Sequence, residues 1–402
     1  MFLSGFSSAL DGSENLPKRN TIPLTPDDIV REQVNKHRPS MGSTIPSDIE
    51  HRLGTTHAAG KYHFTQEPFL IEGANKILEF GSRVGKFFFA LSKEGLVSLY
   101  PFCSDWSTIT SKSQSRLVDL AKHPYFDAVF NLPFSTIILE ITGIDNIRPF
   151  DSPNNDFSEH EEQFEELTEY LYTRFSDRSV TFIFQNWEGD WLFNGAAGLT
   201  EWNQQMMDDL PRRVDYYTRW FSARQRGVEK ARKRFADAQC KVMNAVEVNR
   251  VLTLLEGTPT LTELVLPNVA PDLISWSSWD GMNSAVDLWH GIEIIKHFMK
   301  HSGFLSKPTV MLGEIGNPEQ ERTKEEIIDF WDRSMAVCFA LDIPYILHWE
   351  IFCNEPTEQA RKTVPQDGVY TAEDMRGFWL YLPDGSLSHS GQFLRNLLHK
   401  VK

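Results

Sequence analysis

Apolar and polar residues change their spacing near residue 50. Before it the chain is polar and punctuated by Pro17, Pro23, Pro26, Pro39 and Pro46. That texture predicts an extended or partly disordered N-terminal arm over residues 1–50, with one short helix near Asp27–Asn35. After it, short runs rich in Val, Ile and Phe alternate with longer stretches of helical period, which predicts βα units around a parallel sheet. The strand candidates are residues 55–64, 86–91, 136–142, 180–186, 241–248, 273–277, 309–313 and 344–349. Helical spacing fills 115–120, 159–175, 206–235, 284–301 and 324–341; in the second of these Phe164, Leu167, Leu171 and Phe175 recur on one face. Eight strands with helices between them, and a closing helix at 390–398, match a single α/β domain over residues 51–402, a (β/α)8 TIM barrel. An open doubly wound sheet would bring a glycine-rich phosphate loop, and neither G-x-G-x-x-G nor a P-loop occurs.

Composition narrows the partners. A chain of 402 residues can bury such a core without staples. A formal charge of −15 disfavours nucleic acid. The basic stretch from Arg219 to Arg234 lies in a helical pattern that also carries Glu229 and Asp237, and reads as a solvated face. Cys103, Cys240, Cys338 and Cys353 form no C-x-x-C pair, so zinc and redox motifs are absent. No apolar run is long enough to span a membrane. Met1 to Leu10 lacks the basic start of a signal peptide, and no N-x-S/T sequon occurs; a cytoplasmic protein is expected. The 11 Trp suit a large core, and indole faces also stack on sugars.

In such a barrel the chemistry stands at the carboxyl ends of the strands. The third strand carries Glu140 and is followed by Asp145. The fourth leads into Gln185-Asn186-Trp187-Glu188-Gly189-Asp190-Trp191. The fifth holds Asn244 and Glu247 and ends near Asn249, and the sixth reads Ser275-Trp276-Ser277-Ser278-Trp279-Asp280. The seventh ends Gly313-Glu314-Ile315-Gly316, and the eighth His348-Trp349-Glu350. Cleaving an acetal needs a proton for the leaving oxygen and an anion for the oxocarbenium-like carbon, which two carboxyl groups supply. His57, His63 and His348 are too few to predict a metal centre, and no cofactor is expected.

These motifs resemble the clan A retaining glycoside hydrolases, over roughly residues 55 to 400. The resemblance implies that Glu188 is the acid/base, Glu314 the nucleophile, and Trp349 the floor of the subsite for the cleaved sugar. The tail, with Phe378-Trp379-Leu380-Tyr381, Pro383-Asp384-Gly385 and Ser390-Gly391, resembles the clan's last hairpin and final helix. A carbohydrate substrate is then expected against Asn186, Trp187, Trp276, Trp279, Glu140, Asn249, His57 and Glu350. A carboxyl separation of ~5–5.5 Å is expected for retention.

One departure stands out. The clan's Asn-Glu pair is split here by Trp187. Either the strand continues and places Asn186 and Glu188 on one side, or a bulge at Trp187 restores the usual pose. If neither holds, Asp190 or Glu140 becomes the proton donor. The split also leaves open a barrel that binds carbohydrate without cleaving it. A barrel hydrolase or isomerase of metal-dependent chemistry is the other alternative.

Overall fold

The computed structural model describes residues 22–109, 116–144, 157–194, 202–365 and 368–400. Residues 1–21 of the expected arm, and Asp145, lie outside them. Eight parallel strands close into one barrel in sequence order. They are β1 (Leu53–His57), β2 (Val84–Ala90), β3 (Thr136–Thr142), β4 (Thr181–Gln185), β5 (Lys241–Val248), β6 (Leu273–Ser277), β7 (Val310–Ile315) and β8 (Ile346–His348). Helices surround it, so each strand is covered on both faces and reads as a continuous apolar run.

The pleat sorts the interior into layers. Val84, Ile138, Ile183, Ala245 and Leu273 belong to an apolar cluster with Met243, Met311 and Leu347. Two residues further along the same five strands stand Lys86, Glu140, Gln185, Glu247 and Ser275. Because side chains alternate between faces, both sets point inward, and a polar layer lies on an apolar floor. The apolar layer separates the polar layer from the amino ends of the strands, and the polar layer faces their carboxyl ends.

β7 differs from the expected strand. It continues through Glu314 to Ile315, and its register on β6 slips between Trp276 and Ser277, so that Ser277 stands beside Glu314. The extra residue is Gly313. A Cβ there would lie 2.0 Å from Ser275 Oγ and 2.5 Å from Glu247 Oε2. Only glycine fits, and the bulge carries Glu314 toward the barrel interior.

The helices obey their caps. The expected helix over 206–235 is broken into Gln204–Asp208 and Leu210–Arg232, because Pro211 cannot continue a helix but suits its first turn. Ser284 caps Ala285–Phe298 through the Asp287 amide, and Thr323 opens Lys324–Ala340 with a capping box. At the tail, Tyr381 bridges Leu387 across a turn at Gly385, and the helix His389–His399 follows.

The described part of the arm is not extended. Asp27–His37 is a helix that buries Val30 and Val34. Thr25 donates to Glu293 from its amide at 3.0 Å and its hydroxyl at 2.5 Å, while Ser40 donates to Asp332 at 2.7 and 2.6 Å. This segment straps the helices that follow β6 and β7. Among the described residues no helix is long and apolar enough to cross a membrane.

Val30→Asp, which puts a charge where the side chain is fully buried, is expected to lower the unfolding free energy by roughly 2–4 kcal/mol. Urea denaturation followed by tryptophan fluorescence checks it; an unchanged midpoint would mean the strap contributes nothing to the fold.

Candidate active site

The site is organised around one lysine. Lys86 lies in a strand that is buried along its length, so its ammonium must be compensated. It stands 2.8 Å from Glu140 Oε2, 2.8 Å from Glu314 Oε1 and 3.8 Å from Glu247 Oε2. Burial alone would strip its proton, but the charges of Glu140, Glu247 and Glu314 outweigh burial and hold it above its ordinary value. The ring of Phe88, two residues on, faces the ammonium at 5.8 Å.

Glu314 collects donors. Besides Lys86, its Oε2 accepts from Trp279 Nε1 at 3.1 Å and from Ser277 Oγ at 3.0 Å. The Ser278 amide and hydroxyl both donate to the Glu314 carbonyl, at 2.9 and 2.8 Å, which locks β6 to the bulge. Glu188 sits opposite, half-buried, with Oε1 2.9 Å from Ser277 Oγ. One hydroxyl thus touches both carboxyl groups at 2.9 and 3.0 Å. Glu188 Oε1 and Glu314 Oε2 can therefore be no farther apart than the sum of those distances.

The two carboxyls have different surroundings. Burial, then the charges of Glu314 and Glu247, push Glu188 up to about 8. Glu247 is raised to about 7, by burial first and by Glu314 after it, against the pull of Lys86. It is held by Ser275 Oγ at 2.8 Å and Gln185 Nε2 at 2.9 Å, and its Oε1 accepts the Glu188 amide at 3.1 Å. Burial keeps Glu140 well above the carboxylate range despite Lys86.

The chain reaches Glu188 in neither of the expected ways. β4 ends at Gln185, the backbone bends at Trp187, and a helix starts at Gly189. Asn186 leaves the strand to bind β5: its amide nitrogen donates to the Glu247 carbonyl at 3.1 Å and its oxygen accepts the Glu247 amide at 2.9 Å. It is a strap between strands and 1% exposed. Asp190 accepts from the amides of Asn249, Arg250 and Leu261 at 2.9, 3.2 and 2.8 Å, which ties both its oxygens to backbone. Asn249 returns a contact to the Asp190 amide at 2.9 Å and is buried by it.

Other expected contacts also move into the core. Trp276 is fully buried, its ring filling the space over Gly281 and Gly291. Its parity on β6 aims it at the helices, away from the site. His57 is fully buried among Phe69, Tyr100 and Phe352, bonds the Phe69 carbonyl at 2.8 Å, and is driven by burial down to about 4. Glu350, joined to Trp349 by a cis peptide bond, is fully buried, and burial raises it well above the carboxylate range. Glu140 is the fully buried partner of Lys86 and no free acid.

Trp187, Trp279 and Trp349 keep partly exposed surface. Trp349 packs near Phe88, with ring centroids 6.3 Å apart, and its Nε1 donates to Glu355 at 3.3 Å. Trp279 meets Phe378 edge-on at 5.4 Å. Lys86 was not singled out from the sequence, and Gln185, Glu247, Ser275 and Ser277 were read at the strand ends without a catalytic role. Their signal was available: a charged or polar residue at the inward parity of an apolar strand needs a partner.

Glu140, Glu247 and Glu314 bring ligand atoms within 4.8 Å of one another, a spacing that suits a cation. The Lys86 ammonium stands among all three, so the chain supplies that cation itself.

No family model matches the chain, and no curated protein matches it. Solved structures do. A GH5_18 protein from Streptomyces cattleya, in complex with Manβ1-4GlcNAc, is 13% identical with a TM-score of 0.53, covering 87% of this chain and 80% of that one. A β-glucuronidase of Bacteroides uniformis, covalently bound to cyclophellitol-6-carboxylate aziridine, is 10% identical with a TM-score of 0.50, covering 87% of this chain and 35% of that one. Likeness at this identity shows the fold, a (β/α)8 barrel.

Lys86→Met is expected to lower the unfolding free energy by about 3–5 kcal/mol near neutral pH, and by less in acid, where the stranded carboxyls protonate. Equal losses at both pH values would refute the compensation. Glu247→Gln tests the other sign. The folded-state value of Glu247, about 7, lies above the ordinary carboxylate value, so its ionisation opposes folding and stability is lost as pH rises toward 7. The Gln variant should therefore gain on wild type between pH ~5 and ~8 in paired denaturation curves.

Proposed function

We propose that this barrel is a retaining glycoside hydrolase, with Glu314 as nucleophile and Glu188 as acid/base. The observation that carries the reading is the shared hydroxyl: two carboxyls within one Ser277 contact of each other, one of them also met by Lys86 and Trp279. Glu314 accepts from Lys86, Trp279 and Ser277, which favours a carboxylate ready to attack. Glu188, pushed up to about 8, carries a proton at neutral pH. Pairs of acids whose surroundings separate their protonation states divide the roles of nucleophile and proton donor.

Glu188 protonates the leaving oxygen while Glu314 bonds to the anomeric carbon. Water, deprotonated by Glu188, then releases the sugar. Trp349, Trp279 and Phe88 offer apolar faces for pyranose rings, and Lys86 fixes the attacking carboxylate. The two solved barrels with a disaccharide and a cyclophellitol aziridine bound support a carbohydrate substrate.

A panel of aryl α- and β-glycosides tests the reading. Glu314→Ala should abolish hydrolysis, and azide should restore it as a glycosyl azide. An azide product of inverted configuration from Glu188→Ala, and of retained configuration from Glu314→Ala, would exchange the roles; full activity in Glu314→Ala would end the proposal. In wild type, kcat/KM should fall as pH rises through about 8, because the Glu188 proton is then lost. A profile flat to pH ~9 would remove Glu188 as the acid.

A further inference from the structure

We infer that Ser277 is a positioning residue whose hydroxyl hydrogen follows the negative charge between Glu314 and Glu188 during turnover. The inference rests on the retaining reading above and adds a residue that reading does not require.

Ser277 Oγ lies 3.0 Å from Glu314 Oε2 and 2.9 Å from Glu188 Oε1, and a hydroxyl has one hydrogen to give. With both carboxyls ionised, one oxygen would face the hydroxyl's lone pairs. With one proton between them, every atom is satisfied. Glu314 also receives Lys86 Nζ at 2.8 Å and Trp279 Nε1 at 3.1 Å. Among the described residues, Ser277 is the one hydrogen-bond partner of the Glu188 carboxyl. The proton therefore sits on Glu188, and the chain runs from the Glu188 O–H to Ser277 Oγ, and from the Ser277 O–H to Glu314. The other charged or titratable groups bearing on this trio are Lys86 on β2, Glu140 on β3, Glu247 on β5 and Glu350 after β8.

The surroundings let the hydrogen turn while the oxygen stays. Ser277 is fully buried at the end of β6, and its neighbour Ser278 is tied to the Glu314 carbonyl by two hydrogen bonds. When Glu314 forms its bond to the anomeric carbon, the C–O bond to the leaving group breaks. Its electron pair goes to the leaving oxygen, which takes the Glu188 proton. The charge is now on Glu188, and the Ser277 hydrogen turns to it. When water attacks, its proton goes to Glu188, the ester pair returns to Glu314, and the hydrogen turns back. Ser277 keeps one hydrogen throughout, and no proton passes through it.

The test compares Ser277→Ala with Ser277→Thr, which keeps a hydroxyl. Removing one of three donors from Glu314 should move the acid limb of kcat/KM to higher pH and slow turnover roughly tenfold to a hundredfold; Thr should restore both. A role in folding alone would lower stability and leave the acid limb in place. Ser277→Ala with an unmoved acid limb, or a rate within about twofold of wild type, overturns the inference. Infrared spectroscopy separates its failure from failure of the retaining reading, since it needs no turnover. The C=O stretch of a protonated carboxyl, assigned by its loss in Glu188→Gln, should shift in Ser277→Ala and return in Ser277→Thr. An unshifted band overturns the hydrogen-bond chain even if glycosides are cleaved; a shifted band upholds it even if none of the panel is cleaved.

Discussion

A single buried ammonium decides what the mouth of this barrel can hold. Lys86 is surrounded by Glu140, Glu247 and Glu314, and each member alone would be unaffordable in that position. Together they form a lattice in which the acids hold the lysine above its ordinary value while burial raises Glu140 and Glu247. Glu314 is the member that also reaches Ser277 and Trp279. The carboxylate proposed to react is thus fixed by contacts made below it, on strands distant in sequence.

That lattice depends on the pleat. In five consecutive strands, an apolar inward residue is followed at the next inward position by a polar one. The apolar floor keeps water from reaching the charges from beneath, which strengthens every interaction above it. Gly313 completes the layer by having no side chain. Its bulge lets Glu314 share the interior with Ser275 and Glu247 instead of turning outward toward the helices.

The barrel was legible because its strands are buried on both faces and stand out as Val, Ile and Phe runs; three of the eight boundaries coincide with the expected ones. The two glutamates were legible because they stand at strand ends beside glycine. Lys86 was not, since a lysine at the edge of an apolar run resembles a strand's exposed start. Trp276 and Trp279 looked equivalent in sequence, yet the strand's parity buries the first, and the chain has left the strand by the second. Asn186 and Asn249 misled for a related reason: beyond the last ladder residue, side chains answer to the neighbouring strand's backbone, which periodicity does not reveal.

The strap has a consequence for how the molecule comes into being. Thr25 bonds Glu293 across 268 residues, and Ser40 bonds Asp332 across 292. A chain emerging from the ribosome exposes this segment long before its partners. β1 is in the same position, since one of its two neighbours is β8. This segment therefore waits, with Val30 and Val34 uncovered, until the helices that seat it have been synthesised. Ring closure and full docking of the strap then both wait for the last strands, so a nascent chain halted before β7 lacks the second neighbour of β1 and the second of the two helices that seat the strap.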